Sequence, residues 1–145
     1  MYRHILIPTD GSELAEHAVT NGLTLAKSVG AKVTVLMVED RLDAWSLAEQ
    51  GAVGEVAKYT EQVKKQAAKV LDRAAGAAKQ AGVSCDTMQV DAVQPYQAII
   101  ATAAERGCDL IVMASHGRSG VSAIVLGSVT NKVLTHTKTP VLVCH

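Results

Sequence analysis

The chain has 145 residues, 14 Lys+Arg against 14 Asp+Glu, a formal net charge of zero, and 48% hydrophobic against 19% charged residues. Such a length and composition describe one globular domain over residues 1–145, large enough to fold without metals or disulfides. Zero net charge excludes a nucleic acid or anionic membrane held by bulk electrostatics, and 3% aromatics with no Phe exclude a base-stacking platform for single strands.

The first apolar run, His4–Pro8, begins almost at Met1. No secretory signal is read ahead of it, and no uncharged apolar run reaches the ~18 residues of a membrane span. A cytoplasmic location is expected. Pro8-Thr9-Asp10-Gly11-Ser12 then leads into a predicted helix over Ser12–Val29, whose Ala15, Ala18, Val19, Gly22, Leu23, Ala26 and Val29 share one stripe. Gly30 is placed to end it. A second strand follows over Lys32–Val38. Segment Arg41–Gly54 reads as a mobile insertion carrying Trp45, Leu42 and Leu47: a lid or partner contact, or, as preferred, a loop covering a sheet edge. A long helix is predicted over Glu55–Ala81, closed by Gly82.

The third strand, Ser84–Val90, carries Asp86 and Gln89 and therefore belongs nearer an edge. Pro95 suits the first position of a helix over Tyr96–Arg106, with Gly107 beyond its end. The fourth strand spans Asp109–Ala114 and the fifth Pro140–Cys144. Between them lies a last helix over Val121–Thr135. An internal Gly127 costs about 1 kcal/mol relative to Ala there, so a later start near Gly127-Ser128 is preferred. Cys85, Cys108 and Cys144 lie far apart in sequence and read as small core hydrophobes in a reducing compartment.

Strands one, two, four and five are almost continuously apolar, as strands buried on both faces of a parallel sheet are. Their alternation with helices predicts an α/β three-layer sandwich with five parallel strands in the order 3-2-1-4-5, a Rossmann-like fold. Ligands of such sheets bind past the carboxyl ends of the strands where the order reverses, here between strands one and four.

Two segments meet at that point. On the first, Asp10 suits ribose hydroxyls or a metal, while Asp10 or Ser12 equally suits capping of the following helix. On the second, Ala114-Ser115-His116-Gly117-Arg118-Ser119-Gly120 with Gly127-Ser128 combines glycines, hydroxyls and a helix start, an arrangement that binds phosphate oxygens. Neither Walker A nor the dinucleotide fingerprint G-x-G-x-x-G is present. Arg118, the one cation of the loop, suits a terminal phosphate or a solvated position. His116 suits a phosphate contact, with turn packing preferred, and the other histidines lack ligand spacing. No nucleophile–base pair emerges. A phospho-receiver domain is disfavoured because Asp10 has no adjacent acid.

Strand one with Pro8–Ser12, then Ser115-His116-Gly117-Arg118-Ser119-Gly120, Leu126-Gly127-Ser128-Val129-Thr130 and Pro140-Val141-Leu142-Val143 together resemble the universal stress proteins, over essentially the whole chain. Many members bind ATP through G-x-x-G-x9-G-[ST]. Gly117, Gly127 and Ser128 match it, and Ala114 replaces the first glycine. The resemblance implies a nucleotide site of Pro8, Thr9, Asp10, Val38, Met113, Ala114, Gly117, Arg118, Gly127, Ser128 and Val129. Asp10 would lie at the ribose or adenine end, the Val38 backbone at the adenine edge, and Gly117, Gly127, Ser128 and Val129 at the phosphates. It also implies Mg²⁺ or Mn²⁺ carried on the phosphates of ATP, or of ADP or AMP. A homodimer is expected through the apolar edge strand Val141, Leu142 and Val143. Function then reads as a nucleotide-binding stress sensor or regulatory module, with a slow Mg-dependent ATPase or a non-nucleotide dimeric scaffold as alternatives.

Overall fold

Strand β1 (His4–Thr9) is buried along its whole length, as a central strand covered on both faces must be. It pairs in parallel with β2 (Lys32–Asp40) on one side and with β4 (Leu110–Ala114) on the other. Strand β3 (Cys85–Ala92) lies outside β2, and β5 (Val141–Cys144) outside β4. The order is β3-β2-β1-β4-β5, all parallel, as the sequence predicts, with the polar third strand at an edge. The intervening helices are α1 (Glu13–Val29), α2 (Arg41–Glu49), α3 (Val53–Ala81), α4 (Pro95–Glu105) and α5 (Ser128–His136). The structure, a computed structural model, describes residues 1–51, 53–117 and 126–145.

Alternation along the strands sorts the core into two layers. Ile5, Ile7, Val33, Val35, Val112 and Ala114 meet Ala18, Leu23 and Ala26 of α1 and Ala67, Val70 and Ala74 of α3. Leu6, Leu36, Ile111 and Met113 meet Ile99 and Ala103 of α4 and Val133 of α5. Ser12 caps α1, its Oγ accepting from the Ala15 N–H at 3.3 Å, and Pro95 occupies the first turn of α4. Helix α5 starts at Ser128 with Gly127 as its N-cap residue, the later of the two starts. Residues 121–125 of the longer version lie outside the described residues. Among the described residues no helix is long and apolar enough to cross a membrane.

Three expectations are corrected. Residues 41–49, expected in a loop, form helix α2. The reason is local, since no Gly or Pro interrupts the chain from Arg41 to Gln50 and Ala, Leu and Glu favour helix. Trp45, expected to cover a sheet edge, is 58% exposed; the Leu42 side chain lies outside the described residues, and Leu47 is half-buried. Cys85 is only half-buried because β3 is an edge strand, while Cys108 and Cys144 are buried. Burial, with the Asp109 charge second, pushes the Cys108 thiol up to about 11, which keeps it protonated and unreactive at neutral pH.

At the amino ends of the strands, His4 and Thr34 are buried polar residues. The Arg106 carbonyl can only accept, so His4 Nδ1–H donates to it at 3.1 Å, and Nε2 accepts from the Thr34 hydroxyl at 2.7 Å. This is the neutral imidazole. Burial, followed by the Lys32 charge, holds its pKa below the usual 6.5. The unfolded chain therefore takes up a proton at a pH where the folded chain does not. Stability is fully present above about pH 6.5, is lost as pH falls toward the lowered folded value, and levels off below it. Denaturant melts between pH 7.5 and 4.5 should show this slope in wild type and a flatter one in His4→Gln. Equal slopes would assign the acid sensitivity to another group.

Candidate functional site

The site begins with a missing hydrogen-bond donor. Along β1, the Arg3 carbonyl accepts from Lys32 N–H on the β2 side and the His4 carbonyl from Asp109 N–H on the β4 side, both at 3.0 Å. Even-numbered residues of β1 thus face β4, and Pro8 stands where a donation toward β4 is due but has no N–H. The register reflects it. Strand β1 stays paired with β2 as far as Thr9↔Met37, but with β4 only through Ile5↔Leu110 and Leu6↔Ile111. The strands part at their carboxyl ends, where the order reverses, and a cavity of about 660 Å³ opens there.

Ten of the expected site residues line this one cavity: Pro8, Thr9 and Asp10 from the end of β1, Val38 from β2, Met113 and Ala114 from β4, Gly117, and Gly127, Ser128 and Val129 at the start of α5. Arg118 lies outside the described residues. Ser12 caps α1, while Asp10 Oδ1 accepts the Ser12 N–H at 2.9 Å. This turn aims Asp10 Oδ2 across the seam at Gly117, where any Cβ would collide with it.

The end of the cavity beside α5 is clamped by two short bonds. Gly127 N–H donates to the Ser115 carbonyl at 2.7 Å, and the buried Thr130 hydroxyl donates to the Ala114 carbonyl at 2.8 Å. Together they hold the amino end of α5 over the end of β4, with the amides of its first turn and the positive end of its dipole beside the cavity. Gly127 has φ −60 and ψ 152, a conformation open to any residue. Space is what demands glycine, since an added Cβ would lie 2.9 Å from His116 Cα and 3.0 Å from the Ser115 carbonyl oxygen.

The opposite wall is apolar. Leu36 and Val38 of β2, Ile99 and Pro95 of α4, and Met113 form it, with Asp40 at the end of β2. On β2 the even-numbered backbone groups face β1, as Lys32 N–H does. The Val38 carbonyl is therefore directed toward the crevice just past the last β1–β2 register pair, while Gly11 N–H turns back to Thr9 Oγ1 at 3.2 Å. Ala114 adds its methyl to the α1/α3 layer, on the opposite face from Leu36 and Met113. His116 lines the cavity, and its Nδ1 lies 3.3 Å from Oγ of the adjacent Ser115. Asp40, Pro95, Ile99 and Thr130 were not singled out from sequence for this site. The β2 alternation Leu36-Val38-Asp40 carries the signal for Asp40, whereas Pro95 and Ile99 need the crossover to be known.

A profile of the universal stress protein family matches residues 1–145. The universal stress protein YxiE of Bacillus subtilis is 33% identical over 147 residues, covering 99% of each chain. The solved structure of MJ0577, a universal stress protein of Methanocaldococcus jannaschii, superposes with a TM-score of 0.79 at 31% identity, covering 99% of this chain and 96% of that one. A universal stress protein solved in complex with cAMP superposes with a TM-score of 0.73 at 25% identity, covering 99% and 97%.

Proposed function

The chain belongs to the universal stress protein family, and from that premise we propose that it is an adenine-nucleotide-binding regulatory module, a cytoplasmic homodimer whose occupancy alters its contacts with partners. The observation that carries this reading is the cavity at the carboxyl ends of β1 and β4. It joins an apolar slot to a clamped helix amino terminus, and its volume of about 660 Å³ lies within the usual range for small-molecule sites. An apolar heterocycle with an anionic tail fits that division. The relative solved with cAMP supports the same ligand class here.

Among the described residues no group of three or more His, Cys, Asp and Glu is placed to hold a metal. Mg²⁺ or Mn²⁺ would arrive with ATP and take its ligands from phosphate oxygens and water. Purified protein should release ATP, ADP or AMP on denaturation, and AMP or Mg-ATP should raise its melting temperature. Absence of both would leave the dimeric scaffold as the reading, and sustained ATP turnover would favour the slow ATPase.

Ala114 is compatible with the ligand because its methyl belongs to the α1/α3 layer and its carbonyl is already held by Thr130. Ala114→Gly is expected to change AMP affinity by less than about threefold while lowering stability by about 1 kcal/mol, through lost burial and a freer unfolded backbone. Calorimetric titration and a denaturant melt check the two halves. A tenfold gain in affinity would mean the methyl obstructs the site.

A further inference from the structure

Helices α1 and α3 share one face of the sheet, yet a second cleft of about 120 Å³ stays open between Val19 of α1 and the small Ala74 and Ala77 of α3. Thr9 forms its inner end. Ile5 and Ile7 point into this helix layer, so Thr9 points the same way, and it is only 6% exposed. Its Oγ1 accepts from Gly11 N–H at 3.2 Å, and among the described residues nothing accepts its own proton. A buried hydroxyl that donates to no acceptor costs free energy. Gly11 turns directly against Val70, whose Cγ2 would lie 2.8 Å from an added Cβ, so Thr9 meets the cleft at its Val70–Arg73 end. At the rim of that end the Arg73 guanidinium carries five N–H donors, and Glu16 meets its Nη1 alone, at 2.9 Å. Donors without acceptors thus stand on both sides of a space that runs one helical turn along the seam, from Glu16 and Arg73 to Thr20 and Ala77.

We propose that this cleft is a second binding site, for a short-chain monocarboxylate whose two oxygens accept from the Thr9 hydroxyl and the Arg73 guanidinium. The aliphatic tail lies along the seam against Val19, Ala74 and Ala77, where it removes apolar surface from water. The unassigned groups are donors, which calls for an acceptor and not for an amine. Glu16 remains on Arg73, so the guanidinium is shared between two carboxylates, and the charge of Glu16 disfavours a dianion such as phosphate. Among the described lining residues Thr9 alone borders both this cleft and the larger cavity. The two are separate spaces, and the inference is independent of the nucleotide reading.

Titration of propionate into the full chain at constant ionic strength, followed by amide NMR shifts, tests it. Saturating shifts should centre on Thr20, Val70 and Ala77, with a dissociation constant on the order of 1–10 mM. Propionamide, of similar shape but uncharged, should bind at least about tenfold more weakly. Arg73→Gln should weaken propionate by at least about tenfold with little change in melting temperature, since the Arg73–Glu16 pair is exposed. Ala77→Leu, whose side chain occupies the place of the tail, should abolish binding and leave the shifts elsewhere in the spectrum unchanged. Saturating AMP should leave propionate affinity within about threefold. Propionamide that binds equally well, or affinity that survives either substitution in a folded variant, overturns the site. Displacement of propionate by AMP would place the anion in the larger cavity, and the lack of any saturable shift up to about 50 mM would leave the cleft to water; both overturn it as well.

Discussion

Gly127→Val should reduce AMP and Mg-ATP binding by at least about a hundredfold and cost about 2 kcal/mol of stability. The atoms that a side chain would strike, His116 Cα at 2.9 Å and the Ser115 carbonyl oxygen at 3.0 Å, are backbone and cannot rotate aside. Overpacking of that kind costs about 1–3 kcal/mol. It also breaks the 2.7 Å bond from Gly127 N–H to the Ser115 carbonyl, which sets the amino end of α5 against β4. The binding loss follows from geometry, since the amides of Ser128 and Val129 act on an anion only from a fixed place. Gly76→Ala is the control. It lies within α3 with nothing inside 4 Å of an added Cβ, so it should stabilise by about 0.5–1 kcal/mol and leave binding unchanged. Gly117→Ala is the milder relative, because the obstacle there is the Asp10 carboxylate, a side chain able to turn away. Calorimetric titration and denaturant melts report both quantities. Undiminished affinity in folded Gly127→Val would place the anionic end of the ligand elsewhere.

How much of this was legible beforehand depended on whether the signal was local. Ile5-Leu6-Ile7 and Leu110–Met113 announce strands buried on both faces, and the right-handed crossover rule then leaves few strand orders. The misfit of Gly127 with a helix interior points to its place as the cap of α5. Pro8 shows a limit. Its missing N–H parts β1 from β4, but the sequence does not say which neighbour that N–H would have faced until the register is known. Helix α3 shows another. Its apolar stripe runs from Val56 to Ala78, yet burial begins only at Ala67. Its 29 residues extend about 43 Å at 1.5 Å each, well beyond the roughly 30 Å of a nine-residue strand. Pro95 and Ile99 reach the cavity only because α4 crosses the face that carries Leu36 and Val38, a fact of tertiary packing that no local pattern encodes.

Leu142→Glu should dissociate the proposed homodimer, raising its dissociation constant by at least about a hundredfold. The two sheet edges differ in what they offer a partner. Strand β3 carries Asp86 and Asp91, both exposed, and charged residues on an edge discourage pairing with another chain. Strand β5 carries no charge from Val141 to Cys144 and leaves Leu142 44% exposed, with Leu134 of the preceding helix 40% exposed. A two-fold axis beside β5 would place Leu142 of each chain against the same apolar strip of the other. A glutamate there is buried twice over and faces its own symmetry mate, so desolvation and like-charge repulsion both oppose the interface. Val93→Glu is the matching control, since Val93 is 42% exposed just past β3 and its substitution should leave the dimer intact. Sedimentation velocity at micromolar concentration separates the outcomes. A wild type already monomeric there, or a dimer indifferent to Leu142→Glu, would remove β5 as the interface, whereas dissociation by Val93→Glu alone would move the interface to the β3 edge.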